Sequence, residues 1–254
     1  MNMDLQGKVV LITGSSSGIG AAAALAFGHQ GARVVVHYNR NRVEALRVAN
    51  AIGESGGEAI CLHADVTDSA AIRSLVNRTV THFGRLDVLI NNAGDLVGRC
   101  PITEVTDAFF DQVAHLNMRS MIIACREAVP IMRQQGGGNI INVTSVAARH
   151  GGGAGAVLYA AAKGFVSTAT RGMAKEFVKD NIRVNAVSPG VIATPFQERH
   201  TSGEQLESFR AAIPMQRVGM PDECTGAFLY LASDILSGYV TGQIIEVNGG
   251  QYMP

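Results

Sequence analysis

Seven short apolar runs alternate with longer stretches of helical spacing along the whole 254-residue chain, and this rhythm restricts the fold more than any other feature. Runs such as Val9-Val10-Leu11-Ile12 are apolar at every position, as expected of a strand covered on both faces. Parallel strands joined by helical crossovers meet that condition. The pattern therefore predicts an α/β fold, a single domain built as a doubly wound parallel sheet of about seven strands.

Strands are expected at Lys8–Thr13, Arg33–His37, Ala59–His63, Asp87–Asn91, Asn139–Thr144, Arg183–Val187 and Gln243–Val247. Helical spacing occupies Ile19–Gln30, Arg42–Glu54, Ser69–Phe83, Thr106–Gln134, Leu158–Val178 and Pro221–Ser233. No break in composition, repeat or linker divides residues 1–254. The segment Pro195–Pro214 departs from the rhythm: it is polar, yet Leu206, Phe209 and Ile213 recur at helical spacing between prolines. It reads as a mobile lid over a site or as a surface helix packed on the core.

The formal net charge is +0 with no basic cluster, which argues against nucleic acid or an anionic membrane as partner. Cys61, Cys100, Cys125 and Cys224 are scattered without metal-ligand spacing and suit a reducing compartment as buried filler. The first strand begins too early for a signal peptide, and no apolar run would span a bilayer, so a cytoplasmic location is expected.

Chemistry concentrates in three places. The turn Gly14-Ser15-Ser16-Ser17-Gly18-Ile19-Gly20 lies between a strand and a helix, where glycines let backbone amides approach a pyrophosphate at the helix N-terminus. Such turns also occur without a ligand. Strand two ends in His37-Tyr38-Asn39-Arg40-Asn41-Arg42, with no acid to bond a ribose 2′-hydroxyl. Arg40 is suited to a 2′-phosphate, which favours NADP(H) over NAD(H); the plain alternative is a solvated arginine. Asp65-Val66 and Asn91-Asn92-Ala93-Gly94 follow strands three and four, as cofactor walls or as simple Asx turns. Finally, Tyr159 and Lys163 lie four residues apart, on one face of a helix and roughly 6 Å apart along its axis. An ammonium there favours the phenolate, drawing the phenol below its free value of about 10.

Together, Thr13-Gly14, Gly18, Gly20, Asn91-Asn92-Ala93-Gly94, Asn117, Ser145, Tyr159, Lys163 and Asn185 with Ser188-Pro189-Gly190 resemble, in order and over nearly the whole chain, the short-chain dehydrogenase/reductase family. The resemblance implies a Rossmann fold with strand order 3-2-1-4-5-6-7, a nicotinamide cofactor and assembly as a homotetramer. It implies a catalytic set of Asn117, Ser145, Tyr159 and Lys163. Tyr159 would protonate a carbonyl oxygen, Ser145 would hold that oxygen, Lys163 would acidify the tyrosine and bond the ribose, and Asn117 would hold a relay water. Pro189, Gly190, Ile192 and Thr194 would hold the carboxamide end, and Asp65 the adenine amino group.

Ser145 and Tyr159 are fourteen positions apart, one more than is usual in the family, and the glycine-rich loop Arg149–Gly155 absorbs the difference. It brings Arg149 and His150 toward the substrate entrance, as contacts to an anionic or polyhydroxylated substrate or as solvated loop residues. The ending Ser237–Gly250 resembles 3-oxoacyl-carrier-protein reductases, so an NADP(H)-dependent 3-oxoacyl-type or related carbonyl reductase is expected, with a ketone or secondary alcohol as substrate. Arg99, Arg149 and Arg171 are candidates for a carrier-docking patch. The alternatives are a sugar or polyol dehydrogenase, which would need a more polar pocket than Leu96, Val97, Phe196 and Phe209 suggest, and a non-catalytic NADP(H)-sensing regulator.

Overall fold

The computed structural model describes residues 4–254. In chain order the elements are β1 (Val9–Ile12), α1 (Gly18–His29), β2 (Arg33–Tyr38), α2 (Arg42–Glu54), β3 (Glu58–His63), α3 (Ser69–Phe83), β4 (Val88–Asn91), α4 (Asp107–Ala114), α5 (Ser120–Gln134) and β5 (Gly138–Val143). Then follow α6 (Ala147–His150), α7 (Val157–Phe177), β6 (Ile182–Pro189), α8 (Pro195–His200), α9 (Gly203–Ala212), α10 (Thr225–Ala232), α11 (Asp234–Ser237) and β7 (Ile244–Val247).

All seven strands are parallel, in the order β3-β2-β1-β4-β5-β6-β7. The uninterrupted apolar runs have the expected cause. Val9 and Leu11 point into a core with α3, α5 and α7, while Val10 and Ile12 point into a second core with α1, α2 and α10. The central strands β1 and β4 are thus buried on both faces, while the edge strands β3 and β7 are only partly covered. Because the strands are parallel, the segments after β1 to β6 all emerge at one edge, and the order reverses between β1 and β4, where such sheets hold ligands.

Two segments differ from their expected form. The stretch Thr106–Gln134 is not one uniform α-helix: His115–Arg119 forms a π-helical turn between α4 and α5. The Asn117 amide donates to the Val113 carbonyl (3.1 Å), a local substitute for regular helical bonding. The segment Pro195–Pro214 holds two helices. Thr201 is extended, and Ser202 starts a new helix with a capping box, bonding the Gln205 amide while Gln205 bonds back. Of its apolar trio only Ile213 is buried; Leu206 and Phe209 are half-buried. Cys125 and Cys224 are core filler as expected, whereas Cys61 and Cys100 are half-buried.

Among the described residues, no helix is long and apolar enough to cross a membrane, and no cluster of His, Cys, Asp and Glu could hold a metal ion.

Candidate active site

The glycine turn is braced from β4. Asn92 Nδ2 donates to the carbonyls of Thr13 (2.8 Å) and Gly14 (3.2 Å), and Thr13 Oγ1 accepts from the amides of Asn92 and Ala93 (both 3.0 Å). Gly14 has φ +67°, a region costly for residues with a Cβ. At Gly20 the constraint is proximity: a Cβ there would meet Asn92 Nδ2 and the Gly14 carbonyl oxygen, each at 2.5 Å. The α1 N-terminus carries no side-chain cap on Ser17 and no acid in its first turn, leaving its amides free for an anion. This cradle fits a dinucleotide pyrophosphate. Gly14 contributes by shape alone, since its amide is already given to His37 Nδ1 (2.8 Å).

Tyr38 ends β2, tilted against His63, and the exposed Asn39 and Arg40 follow it. Asp65 closes an Asx turn, accepting from Thr67 N (2.9 Å) and Thr67 Oγ1 (2.7 Å). These two bonds, with weaker help from Asn39 and the Arg40 charge, hold its carboxyl below the usual range. Val66 beside it is buried. Across the cleft, a Cβ on Gly18 would meet the Thr194 methyl at 3.2 Å, so Ser16–Ile19 and the loop Pro189–Thr194 face each other. Gly190 lies against Asn248, and Ile192 bridges to Gly219. Asn185 lies away from the cleft, where its side chain fixes Val240 and Gln243 ahead of β7.

Ser145 follows β5, and its Oγ accepts from the Ala147 amide (3.1 Å). Tyr159 is in the first turn of α7 and Lys163 one turn further on, with Nζ 5.7 Å from the phenol ring centroid. Ser145, Tyr159 and Lys163 therefore share one small volume. Lys163 is 4% exposed, and its ammonium donates to the Val143 carbonyl (2.8 Å). Burial lowers its pKa to about 8. The Tyr159 pKa is raised, not lowered as expected. Burial pushes the phenol up to about 12, a Ser145 hydrogen bond pulls it down, and the Asp95 carboxylate pushes it up again. With Nζ held by Val143, desolvation of the phenolate outweighs any help from the ammonium.

Asn117 packs beside this group, but both ends of its amide are engaged: Nδ2 donates to Asp95 O (2.8 Å) and Oδ1 accepts from Asp95 N (3.1 Å). Its side chain fixes the backbone of Asp95. Sequence reasoning missed Asp95, which bonds His200 of α8 (Nε2 to Oδ1, 2.6 Å) with Arg199 3.4 Å from its other oxygen. Phe196 lies between, 5.7 Å from the Tyr159 ring and 5.0 Å from the His200 ring. Arg99 joins this roof to the glycine loop by bonding His200 O (3.1 Å) and Ala154 O (2.8 Å). Val97, on the same wall, is a β-branched residue at φ +67°, the kind of backbone strain found at functional sites. The one available sequence signal was an acid directly after Asn91–Gly94.

Arg149 is not a solvated loop residue. It pairs with Glu246 (2.9 Å) and stacks on Tyr252 (5.4 Å), so it is withdrawn from any docking patch, while Arg171 bonds its own helix at Ser167 O. His150 is exposed and accepts from the Gly152 amide (3.2 Å). A cavity of about 370 Å³ is lined by Ile192, Ile213, Met215, Arg217, Glu246 and Asn248, among others.

A dinucleotide cradle at the sheet's switch point, next to a Ser–Tyr–Lys group whose lysine is buried, defines a nicotinamide-dependent oxidoreductase acting on an alcohol or ketone. The comparisons agree. The family described as enoyl-(acyl carrier protein) reductase, a short-chain dehydrogenase/reductase group, matches residues 14–251, and the chain belongs to the short-chain dehydrogenase/reductase family. It is 39% identical to the uncharacterized oxidoreductase YgfF of Escherichia coli over 249 residues, 96% of this chain and 99% of that one. It is also 39% identical to the 3-oxoacyl-[acyl-carrier-protein] reductase FabG of Thermotoga maritima, covering 98% and 99%. Among solved structures it resembles the NADH-dependent reductase A1-R′ responsible for alginate metabolism, with TM-score 0.91, 39% identity and 99% coverage of each chain; that reductase is also known in complex with NAD.

Proposed function

We propose that this enzyme is an NADP(H)-dependent carbonyl reductase of the 3-oxoacyl type or a related ketone reductase, with Asn117, Ser145, Tyr159 and Lys163 as its catalytic set. The observation that carries the reading is the convergence of Ser145, Tyr159 and Lys163 beside the glycine cradle. The nicotinamide, when bound, supplies the hydride. A phenol with a pKa near 12 is fully protonated at neutral pH, the form needed to give a proton to a carbonyl oxygen. Ser145 Oγ accepts from Ala147 N through one of its two lone pairs and keeps its own proton to donate to the same oxygen. Lys163, whose ammonium is held at the Val143 carbonyl, would bond the ribose hydroxyls of a bound cofactor and bring its charge to bear on the phenolate that remains after proton transfer. Asn117 keeps Asp95 and the floor of the site in place.

Gly14, Ser16, Ser17, Gly18, Ile19 and Gly20 form the pyrophosphate seat; Asp65 and Val66 the adenine wall; Asn92, Ala93, Gly94, Pro189, Gly190, Ile192 and Thr194 the nicotinamide end. Tyr38, Asn39 and the exposed Arg40 supply the 2′-phosphate contact that supports NADP(H). The A1-R′ reductase is described as NADH-dependent, so the two sites would differ at this ribose. Residues 195–214 act as a lid, since Phe196 already covers the Tyr159 ring. Exposed Phe110 and Ile122 on α4 and α5, with Val157 on α7, suit burial in a homotetramer, and four free thiols suit the cytoplasm.

A second reading has its own support. The Asp95–His200–Arg199 group makes the roof more polar than Leu96 and Phe196 alone, as a sugar- or polyol-type carbonyl would require. Following reduced-nicotinamide absorbance with NADPH and NADH against 3-oxoacyl thioesters and keto-sugars separates the two. Turnover of neither class, despite tight cofactor binding, would favour the non-catalytic sensor. Arg40→Ala should lower kcat/KM for NADPH about tenfold and leave NADH unchanged, given the usual worth of a charged hydrogen bond; equal losses with both would remove the 2′-phosphate assignment.

A further inference from the structure

His37 stands outside every role given so far, yet its side chain ties together two of the turns facing the cofactor cleft. It is 2% exposed at the end of β2. The β1–β2 ladder ends at Ile12↔Val36, just before the chain turns left-handed at Gly14. Past that point His37 continues the pairing. Its Nδ1 accepts from the Gly14 amide (2.8 Å), its backbone carbonyl accepts from Ser15 N (3.1 Å), and its amide donates to Ser15 Oγ (2.9 Å). On the far side its Nε2 lies 3.0 Å from the Ala64 carbonyl, one residue before Asp65.

These contacts fix the tautomer. Nδ1 must carry the lone pair to accept from Gly14, so the proton is on Nε2 and is donated to Ala64. Only a neutral ring makes both bonds, and burial, which lowers the pKa of His37 to about 4, keeps it neutral. A strand residue chosen only for packing would be apolar, like Val34, Val35 and Val36 before it.

We infer that His37 is a positioning residue for cofactor binding: its imidazole holds the Gly14 turn in the shape that opens the pyrophosphate seat and ties that turn to the adenine wall. The inference rests on the nicotinamide reading of the glycine cradle. Turning the Gly14 amide toward Nδ1 satisfies a donor that the end of the ladder would leave buried and unpaired. It also sets the direction in which the next residues enter α1.

The two ring nitrogens can be tested separately. His37→Asn places Oδ1 near the Nδ1 position and keeps an acceptor for Gly14 while losing Ala64. His37→Gln places an amide near Nε2 and keeps the donor to Ala64 while losing Gly14. Dissociation constants for NADPH and NADH, kcat at saturating cofactor and thermal midpoints are measured for both variants and for wild type. Expected is a Kd within about threefold of wild type for His37→Asn and about tenfold weaker for His37→Gln, the scale of one hydrogen bond in a buried site. Saturating cofactor should restore kcat in His37→Gln. If cofactor affinity follows the thermal midpoints instead, or both variants bind equally, the positioning role is overturned while the cradle stands. If wild type binds neither dinucleotide, both readings fall.

Discussion

Replacing Gly20 with alanine puts a methyl group where two polar atoms already stand. The new Cβ would lie 2.5 Å from Asn92 Nδ2 and 2.5 Å from the Gly14 carbonyl oxygen. Ordinary contact needs about 0.9 Å more room at each. Asn92 cannot simply swing aside, because Nδ2 holds the carbonyls of Thr13 and Gly14, and the second obstacle is backbone. Crowding of this kind costs about 1–3 kcal/mol, and a lost Asn92 hydrogen bond adds about 1 kcal/mol. Alanine's better helix propensity returns up to about 1 kcal/mol in the first turn of α1. The net loss is about 1–3 kcal/mol, which at about 2–4 °C per kcal/mol for a chain of this size lowers Tm by roughly 2–12 °C. The displaced atoms line the pyrophosphate seat, so NADPH affinity should fall by at least about tenfold, or 1.4 kcal/mol. Thermal melts and fluorescence titration with NADPH read both effects. Gly53→Ala, whose Cβ meets nothing within 4 Å, is the control and should not weaken binding. A Gly20→Ala protein that melts and binds like wild type would refute the close-approach argument.

Two further outcomes follow from the buried groups. An unfolded lysine keeps its proton up to 10.5, whereas burial lets Lys163 lose it at about 8. The unfolded chain therefore binds more protons across that window, and this group makes stability rise with pH there. Lys163→Met should flatten the rise in Tm from pH 8 to 10.5 and abolish turnover; a rise of wild-type steepness would contradict the buried-cation account. His200→Ala removes the bond to Asp95 and the edge contact to Phe196, and should raise substrate KM about tenfold with cofactor Kd unchanged, the scale of a charged hydrogen bond. An unchanged KM would show that the roof does not act on substrate.

The inner strands such as β1 and β2 announced themselves in the sequence because they are buried on both faces and so read as nearly unbroken β-branched runs. The glycine turn and the Tyr159–Lys163 pair were equally plain, since both depend on short spacings. What escaped it was long-range partner choice. Arg149 has no local sign that its partner is Glu246, 97 positions away, and Asp95 none that its partner is His200, 105 positions away. The division of residues 195–214 at Thr201 was readable from the Ser202–Gln205 capping box but was hidden by the continuous spacing of Leu206, Phe209 and Ile213. The sign of the Tyr159 shift depends on depth of burial and on where Nζ points, neither of which a four-residue spacing records. His37 did leave a trace, a polar ring closing an otherwise apolar strand.

The central claim is that the Tyr159 hydroxyl moves the proton. Tyr159→Phe keeps the ring against Phe196 and removes only that hydroxyl, so single-turnover reduction of a ketone at saturating NADPH isolates it. The account predicts a rate about 10³-fold lower or worse, with cofactor affinity within about twofold of wild type, as expected when a general acid is lost. A phenylalanine variant that turns over near the wild-type rate would contradict it.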